Sequence, residues 1–310
     1  MTAPQAELDK AGREYLARLS VTDLRALVHA DAVTADLATA RIEALHRQPA
    51  LLLDALDRPA TSAAVLNLAR HSGPGPGPVG GRGREADRFA LISPFLLFAA
   101  AVHRTASDLA GASYAPERTA PRQRIPLFDG GTLTAYLAAP RHRLFLADLL
   151  ASFARISSGV VLASDGQHRR RWNDADPHRL AVLLDAVPAV QRPAVWRRLG
   201  DLAMFLAGVF PDAAERLVPD EAAARRLARR TLPRAAPQMR EELIPEAGAP
   251  DLIEWLGTRW YQQAAIHMSG DTARDLRERA QQFRTARRIL NTAADRYLLP
   301  YSADWLTGPG

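Results

Sequence analysis

The feature that most constrains the fold is residues 199–212, which read LGDLAMFLAGVFPD. This pattern predicts a helix that is apolar on every side after its first turn, and such a helix must be enclosed by other helices. Most of the remaining chain also shows apolar residues at helical spacing. The sequence therefore predicts a mainly α-helical protein, a multi-helix globular bundle around a central buried helix at residues 193–210, with one short β-hairpin.

Composition excludes several kinds of chemistry. The chain has 310 residues and no cysteine, so disulfides, thiolate metal sites and cysteine nucleophiles are absent. Lys10 is the only lysine among 40 basic residues, and the rest are arginine. A phosphate-binding P-loop and a Schiff-base enzyme each need a lysine in a context that Lys10 lacks. P-loop nucleotide hydrolysis, kinase-type phosphoryl transfer and pyridoxal-phosphate chemistry are therefore excluded.

The sequence predicts no membrane segment. The longest apolar candidate, residues 89–102, is interrupted by Ser93 and Pro94, and no run reaches the roughly 20 residues that cross a bilayer. The first 19 residues read as an amphipathic helix without the apolar centre of a secretory signal. We therefore expect a cytoplasmic protein without membrane contact.

A glycine- and proline-rich stretch suggests how the chain is organised. Residues 71–85 read HSGPGPGPVGGRGRE, a composition that is unfavourable for both helix and strand. We expect an N-terminal helical region at 1–72, a loop or linker at 73–88, and a helical core at 89–310. That core includes the hairpin, predicted at 159–172 around Asp165-Gly166.

Local sequence patterns predict two helix starts and one long helix. Ser20 and Asp23 form a plausible capping pair, and Ser93-Pro94 places a capping residue before a proline at the first helical position. Near the C-terminus, residues 271–298 are predicted to form one helix. Its apolar positions recur three and four residues apart, which is typical of one buried stripe.

One candidate site follows the apolar run that ends at Val102. His103 lies beside Arg104 and Asp108, and the extended segment 112–131 brings Glu117, Arg118 and Arg122. A histidine near a carboxylate can act as a general base near neutral pH. In this interpretation His103 is the base, Asp108 or Glu117 orients it, and Arg118 or Arg122 binds an anionic group. The alternative interpretation is a hydrogen-bond network that fixes a long loop onto the helical core.

The motifs in the sequence predict neither a bound metal nor a cofactor. Glu43 and His46 form a Glu-x-x-His pair, but a bundle metal site needs a second copy, which the sequence lacks. The glycines of 75–80 spell Gly-x-Gly-x-x-Gly, but prolines lie between them and no strand precedes them. The sequence also contains no His-Glu-x-x-His or Gly-x-Ser-x-Gly motif.

Two basic elements form the other candidate site. One is a helical face and the other is the second arm of the hairpin, where charge lies beside an aromatic ring. Arginine can bind phosphate and tryptophan can stack on bases, although a solvated charged face and an inward-packed tryptophan would give the same pattern. The net charge of +6 fits coding bias as well as a polyanionic partner. The residues are Arg225, Arg226, Arg229 and Arg230 on the helix, and His168, Arg169, Arg170, Arg171 and Trp172 in the hairpin.

The C-terminal third resembles a family of bacterial proteins without an established activity. The resemblance covers about a hundred residues and implies no catalytic residue. It implies that Gly200, Asp201 and Phe210-Pro211 belong to one structural unit. The residues that carry it are Gly200-Asp201, Met204-Phe205, Gly208, Phe210-Pro211, Trp260-Tyr261, Phe283 and Leu290-Asn291.

From these features we expect a non-enzymatic binding or regulatory protein whose arginine-rich surface holds a protein or nucleic-acid partner. The alternative is an enzyme or small-molecule binder with a pocket around His103 and the 112–131 segment. The sequence leaves the oligomeric state and the identity of the partner open. A closed environment around His103 would favour the first hypothesis, and a deep cavity beside it would favour the second.

Overall fold

A computed structural model describes residues 3–30, 35–71, 92–120, 123–162, 168–242 and 248–301. These residues are mostly helical, and each of the two sheets among them has two strands. Packing divides them into two compact units. Unit 1 takes its described residues from Met1–Ala115, Phe128–Ala154 and Asp295–Thr307, and unit 2 takes them from Pro116–Leu127 and Arg155–Ala294. The mainly α-helical fold is confirmed.

Unit 1 is a helical bundle whose innermost helix begins at Ser93-Pro94, as predicted. Ser93 caps this helix by accepting a hydrogen bond from the amide of Leu96 (3.2 Å). The unit contains α1 (Ala3–Leu16), α2 (Val21–Ala30), α3 (Ala35–Arg47), α4 (Ala50–Asp57), α5 (Pro59–His71), α6 (Pro94–Leu109), α7 (Gly130–Ala138) and α8 (Pro140–Ser152).

The core of unit 1 forms around α6. Every residue from Phe95 to His103 is buried, and α6 packs against α4, α5 and α8. The predicted capping pair is confirmed, since Ser20 and Asp23 exchange backbone-to-side-chain hydrogen bonds of 2.8 and 3.1 Å. Asp23 also accepts a 2.6 Å hydrogen bond from the amide of Ser93. One buried carboxylate therefore ties the start of α2 to the start of α6.

The observed division of the chain differs from the one that we expected at residues 73–88. Helices α4 and α5 precede that glycine- and proline-rich segment, and both pack against α6, which follows it. The segment itself lies outside the described residues. Helices that precede and follow this segment in the sequence together bury α6. The change in composition at residues 73–88 therefore does not separate two compact units.

Unit 2 contains the predicted central helix and the predicted hairpin. Its strands are β1 (Ala115–Ala120), β2 (Gln123–Leu127), β3 (Ser158–Leu162) and β4 (Arg169–Asn173). Its helices are α9 (Pro177–Leu180), α10 (Leu183–Ala186), α11 (Arg192–Val209), α12 (Pro211–Leu217), α13 (Glu221–Thr231), α14 (Met239–Glu242), α15 (Ala249–Ile266), α16 (Gly270–Gln281) and α17 (Phe283–Ala293).

Helix α11 is enclosed, as its sequence predicts. All residues from Leu199 to Val209 are buried, and the helix packs against α15 and α17. Three glycines allow this close approach. A Cβ at Gly200 would lie 2.8 Å from the Tyr261 ring, one at Gly208 would lie 2.8 Å from Leu290 Cβ, and one at Gly257 would lie 2.8 Å from Ala203 Cβ.

Three predictions about these elements need correction. The extended segment 112–131 contributes strands β1 and β2, so the described chain has a second strand pair besides the single predicted hairpin, β3 and β4. The predicted helix at 271–298 is divided at Gln282, where ψ is 11°. The apolar stripe survives the break because α16 and α17 both bury their predicted positions, including Leu276, Phe283 and Leu290. The central helix organises only unit 2, because α6 has the equivalent position in unit 1.

None of the described helices combines the length and the apolar character that a bilayer crossing requires.

Adding a methyl group at the α11–α15 contact should destabilise unit 2. In Gly257→Ala the new Cβ would overlap the Phe283 ring and lie 2.8 Å from Ala203 Cβ, and overpacking of this kind costs about 1–3 kcal/mol. Urea unfolding followed by circular dichroism measures the change in the free energy of unfolding. Gly131→Ala is the control, because its helical site is open and the change should stabilise by up to about 1 kcal/mol. Equal stability of the two variants would contradict the close helix contact.

Candidate functional site

His103 is the centre of a hydrogen-bond network that joins four helices of unit 1. Its Nδ1 lies 2.7 Å from Asp57 Oδ1 at the end of α4, and its Nε2 lies 3.0 Å from the Tyr15 hydroxyl on α1. Arg143 on α8 donates a hydrogen bond to the same Asp57 oxygen. The predicted histidine–carboxylate pair therefore exists, but its carboxylate is Asp57.

The partners of His103 define its protonation. Because Nδ1 faces a carboxylate, the neutral ring carries its proton there, and Nε2 accepts a hydrogen bond from Tyr15. Burial, opposed by the hydrogen bond to Asp57 and aided by the charge of Arg143, holds the pKa of His103 below its ordinary value. Burial alone would raise the pKa of Asp57, but His103 and Arg143 together lower it. Burial raises the pKa of Tyr15. The resting network is neutral tyrosine, neutral histidine and ionised aspartate.

The network is closed around the histidine. His103 and Tyr15 are both 0% exposed, and only the Asp57 side chain reaches solvent, with 42% of it exposed. Each ring nitrogen of His103 already has a protein partner, so neither nitrogen is available to take a proton from a ligand. The arrangement favours the interpretation of His103 as part of a hydrogen-bond network in the core.

Asp108 does not orient His103 in the structure. It accepts a hydrogen bond from the Tyr297 hydroxyl and lies 3.1 Å from the Arg296 guanidinium. It also forms an ion pair with Arg104, four residues before it on the same helix, at 3.2 Å. These contacts tie α6 to residues near the C-terminus, within unit 1.

Glu117 and Arg118 form buried contacts within unit 2. Glu117 pairs with Arg287 of α17, and Arg118 donates a 2.8 Å hydrogen bond to the carbonyl of Val209 at the end of α11. Both side chains are 7% exposed. They hold β1 against α17 and the end of α11, so they do not present charge to a ligand from this position. Arg122, the remaining predicted anion-binding residue of this segment, lies outside the described residues.

Asn291 is a site residue that sequence reasoning missed. Its Oδ1 accepts from the backbone amide of Arg118 at 2.7 Å, and its Nδ2 donates to the Arg118 carbonyl at 2.9 Å. The side chain therefore satisfies both backbone groups of one strand residue. An asparagine directly after Leu290 of the predicted apolar stripe is the signal in the sequence, and it does not identify the partner.

The predicted basic helix is α13, and its two faces are as expected. Ala224, Leu227, Ala228 and Thr231 are buried, while Arg226, Arg229 and Arg230 are exposed. Asp220 caps the helix by accepting from the amide of Ala223 at 2.7 Å. Burial of one side thus fixes the direction in which the arginines point.

The predicted basic hairpin is β3–β4, and its register defines what each face carries. Val160 pairs with Arg171, and Leu162 pairs with Arg169. Because directly opposed residues share a face, these four exposed side chains form one outer face. Trp172 is half-buried on the opposite side, where a Cβ at its strand partner Gly159 would lie 3.0 Å from the indole nitrogen. The predicted turn at Asp165-Gly166 lies outside the described residues.

Helix α11 anchors both basic elements. The indole of Trp196 on α11 donates to the Thr231 carbonyl of α13 at 3.0 Å, and the indole of Trp260 on α15 donates to the Thr231 hydroxyl at 2.9 Å. Arg198, two residues after Trp196, donates to Asp174 at 2.7 Å, immediately after β4. A single helical turn of α11 therefore contacts both the end of α13 and the end of the hairpin.

A single carboxylate on α10 lies between the two basic elements. Asp185 accepts a 2.8 Å hydrogen bond from Arg230 of α13, and Arg170 of β4 approaches the same oxygen to 4.0 Å. The hairpin and α13 are therefore neighbours, with Arg170 on the face of the hairpin opposite to Arg169 and Arg171. We call the arginines of these two neighbouring elements the arginine surface. It comprises Arg169, Arg170, Arg171, Arg225, Arg226, Arg229 and Arg230.

Most of the charge on the arginine surface is available. Arg225 pairs with Glu221, and Arg170 and Arg230 share Asp185. Arg169, Arg171, Arg226 and Arg229 are exposed and form no ion pair with another described residue. Three carboxylate contacts therefore leave four guanidinium groups facing solvent.

The described residues show no metal centre. No group of three histidine, cysteine, aspartate or glutamate side chains among them is arranged to hold an ion. Glu43 and His46, the Glu-x-x-His pair, are both exposed on α3.

Acidification should destabilise unit 1 through His103. The histidine pKa is lowered in the folded state, so the unfolded chain binds the additional proton as the pH falls through about 6.5. The lowered pKa of Asp57 acts in the same direction at lower pH. We therefore expect thermal unfolding of the wild type to shift to lower temperature between about pH 7 and pH 5. In His103→Gln this shift should be smaller, although the variant is less stable throughout.

His46→Gln is the control for this measurement, because His46 is exposed and its replacement should leave the wild-type pH dependence intact. An identical pH dependence in His103→Gln and the wild type would contradict a buried neutral His103.

No protein-family model, curated protein or solved structure matches this chain. The residues that carry the sequence resemblance lie in unit 2, where Gly200 contacts Tyr261, Gly208 contacts Leu290 and the rings of Phe205 and Phe210 meet edge to face. The resemblance itself stays a prediction.

Proposed function

We propose that this chain is a non-enzymatic binding or regulatory protein that holds nucleic acid on its arginine surface. The observation that carries the proposal is the position of Asp185 between Arg170 and Arg230. It makes β4 and α13 neighbours, although Arg170 and Arg230 are 60 positions apart in the sequence. Neighbouring cationic elements can contact phosphates of the same polyanion.

The chemistry of the surface favours phosphate as its ligand. Guanidinium groups bind phosphate oxygens with two parallel hydrogen bonds and remain charged at any physiological pH. Four of them are exposed and unpaired with described residues. An acidic protein surface would also attract them. Protein interfaces are usually centred on an apolar core, and α13 presents its apolar residues inward, although Val160 and Leu162 are exposed on the hairpin. Nucleic acid is therefore the partner that we propose.

The enzyme alternative receives less support. It requires a ligand to reach His103, whose two ring nitrogens are occupied by Asp57 and Tyr15 and whose side chain is fully buried. A cytoplasmic location, which the composition predicts, is compatible with nucleic-acid binding and is part of this proposal.

The proposal predicts salt-sensitive nucleic-acid binding that depends on the four unpaired arginines. Fluorescence anisotropy with labelled duplex DNA, single-stranded DNA and RNA measures the affinity at about 50 and 200 mM salt. Replacing Arg169, Arg171, Arg226 and Arg229 together by alanine should weaken binding at least about tenfold at the lower salt concentration and flatten the salt dependence, because fewer counterions are released. All four side chains are exposed, so the fold should be retained, as circular dichroism can verify.

The matched control removes the same charge from unit 1. Arg13, Arg25, Arg47 and Arg141 are exposed and lie outside the arginine surface. Their joint replacement by alanine lowers the net charge equally but removes no residue of the arginine surface, so affinity should change by less than about twofold. Equal loss of binding in both variants would show a general charge effect, and no binding by the wild type would refute the proposal.

A further inference from the structure

A cleft of about 340 Å³ lies at the base of the β3–β4 hairpin. Two directly opposed pairs of strand residues contribute to it, Ser158 with Asn173 and Val160 with Arg171. These four residues share the outer face of the hairpin because their positions alternate with those of Gly159 and Trp172. Arg179, the third residue of α9, lines the cleft from a separate element.

The cleft offers hydrogen-bond donors and positive charge. Arg171 forms no ion pair with another described residue, and the Nε of Arg179 lies 3.6 Å from its helical neighbour Asp176, which leaves its terminal nitrogens free of that contact. The Asn173 side chain accepts from the amide of Ala175 through its oxygen, so its NH₂ group is available. None of the residues that line the cleft is acidic.

The volume of the cleft fits a small ligand. Small-molecule sites usually measure about 300–1,000 Å³, and most are lined by apolar groups, whereas this one is lined mainly by polar groups. Two guanidiniums from separate elements beside two neutral donors favour a compact group with several acceptor oxygens and more than one negative charge. A terminal phosphate carries about two charges near neutral pH, and an internal phosphodiester of a nucleic acid carries one.

We propose that this cleft binds a phosphate monoester, with Arg171 and Arg179 contacting its oxygens. The inference rests on the proposed function, because Arg171 belongs both to the cleft and to the arginine surface. It adds the recognition of a phosphorylated strand end to binding along the strand. A free nucleotide carries the same chemical group and is the alternative source.

Paired ligands test this proposal. Labelled single strands of about 12 nucleotides, a length within the usual range for such sites, are prepared with a 5′-phosphate or with a 5′-hydroxyl. The wild type should bind the phosphorylated strand on the order of tenfold more tightly, as expected when charged hydrogen bonds are gained. Arg179→Ala should abolish this preference while keeping the affinity for the 5′-hydroxyl strand, since Arg179 lies outside the arginine surface.

Arg216→Ala is the control, because Arg216 is exposed on α12 and does not line the cleft, and the variant should keep the preference. Adenosine 5′-monophosphate and adenosine, titrated by calorimetry, form the second arm. Binding of the nucleotide but not of adenosine, lost in Arg179→Ala, would support the cleft with a free nucleotide as its source.

The outcomes separate the two proposals. Equal binding of both strands, together with no binding of adenosine 5′-monophosphate, would overturn the cleft proposal and leave the arginine surface in place. A preference for the phosphorylated strand that persists in Arg179→Ala would also overturn it. Failure of every strand to bind would refute the proposed function, and the nucleotide titration would then decide the cleft proposal by itself.

Discussion

Enclosure of α11 is the constraint on which unit 2 depends. A helix with apolar residues on every side cannot face water without a large loss of hydrophobic free energy, so α15 and α17 must cover it. They come close enough only because Gly200, Gly208 and Gly257 leave space for Tyr261, Leu290 and Phe283. Buried polar groups are then satisfied locally, as at Asp201, which accepts a 2.7 Å hydrogen bond from the Tyr261 hydroxyl.

The same helix places the arginines. Its first turns are still partly exposed, and there Trp196 and Arg198 reach the ends of α13 and the hairpin. Because α13 buries its alanine and leucine side, its arginines must face outward, next to those of β4. The exposed ion pairs to Asp185 contribute little stability, about 0–1 kcal/mol each. They show that α13 and β4 are close together, but they do not hold them there. The packing of α11 and α13 in the core thus determines where the arginine surface lies.

The sequence predicts best where structure is determined locally. The Ser20–Asp23 pair, the Ser93-Pro94 start, the burial of residues 199–209 and the two faces of α13 all depend on residues within a few positions of each other, and all are confirmed. The partner of His103 could not be predicted in this way, because Asp57 lies 46 residues earlier in the chain and only the packing of α4 on α6 brings them together. The double hydrogen bond of Asn291 to Arg118 spans 173 residues and has the same origin.

One titration tests most directly whether β4 and α13 act as a single surface. Duplex DNA is titrated into the wild type, into Arg169→Ala/Arg171→Ala and into Arg226→Ala/Arg229→Ala, and the stoichiometry and the slope of log affinity against log salt are measured. Each phosphate contact contributes about 0.9 to that slope. The account predicts one binding site per chain whose slope falls by up to about 2 in each double variant. Two independent sites, or a full wild-type slope in either variant, would contradict it.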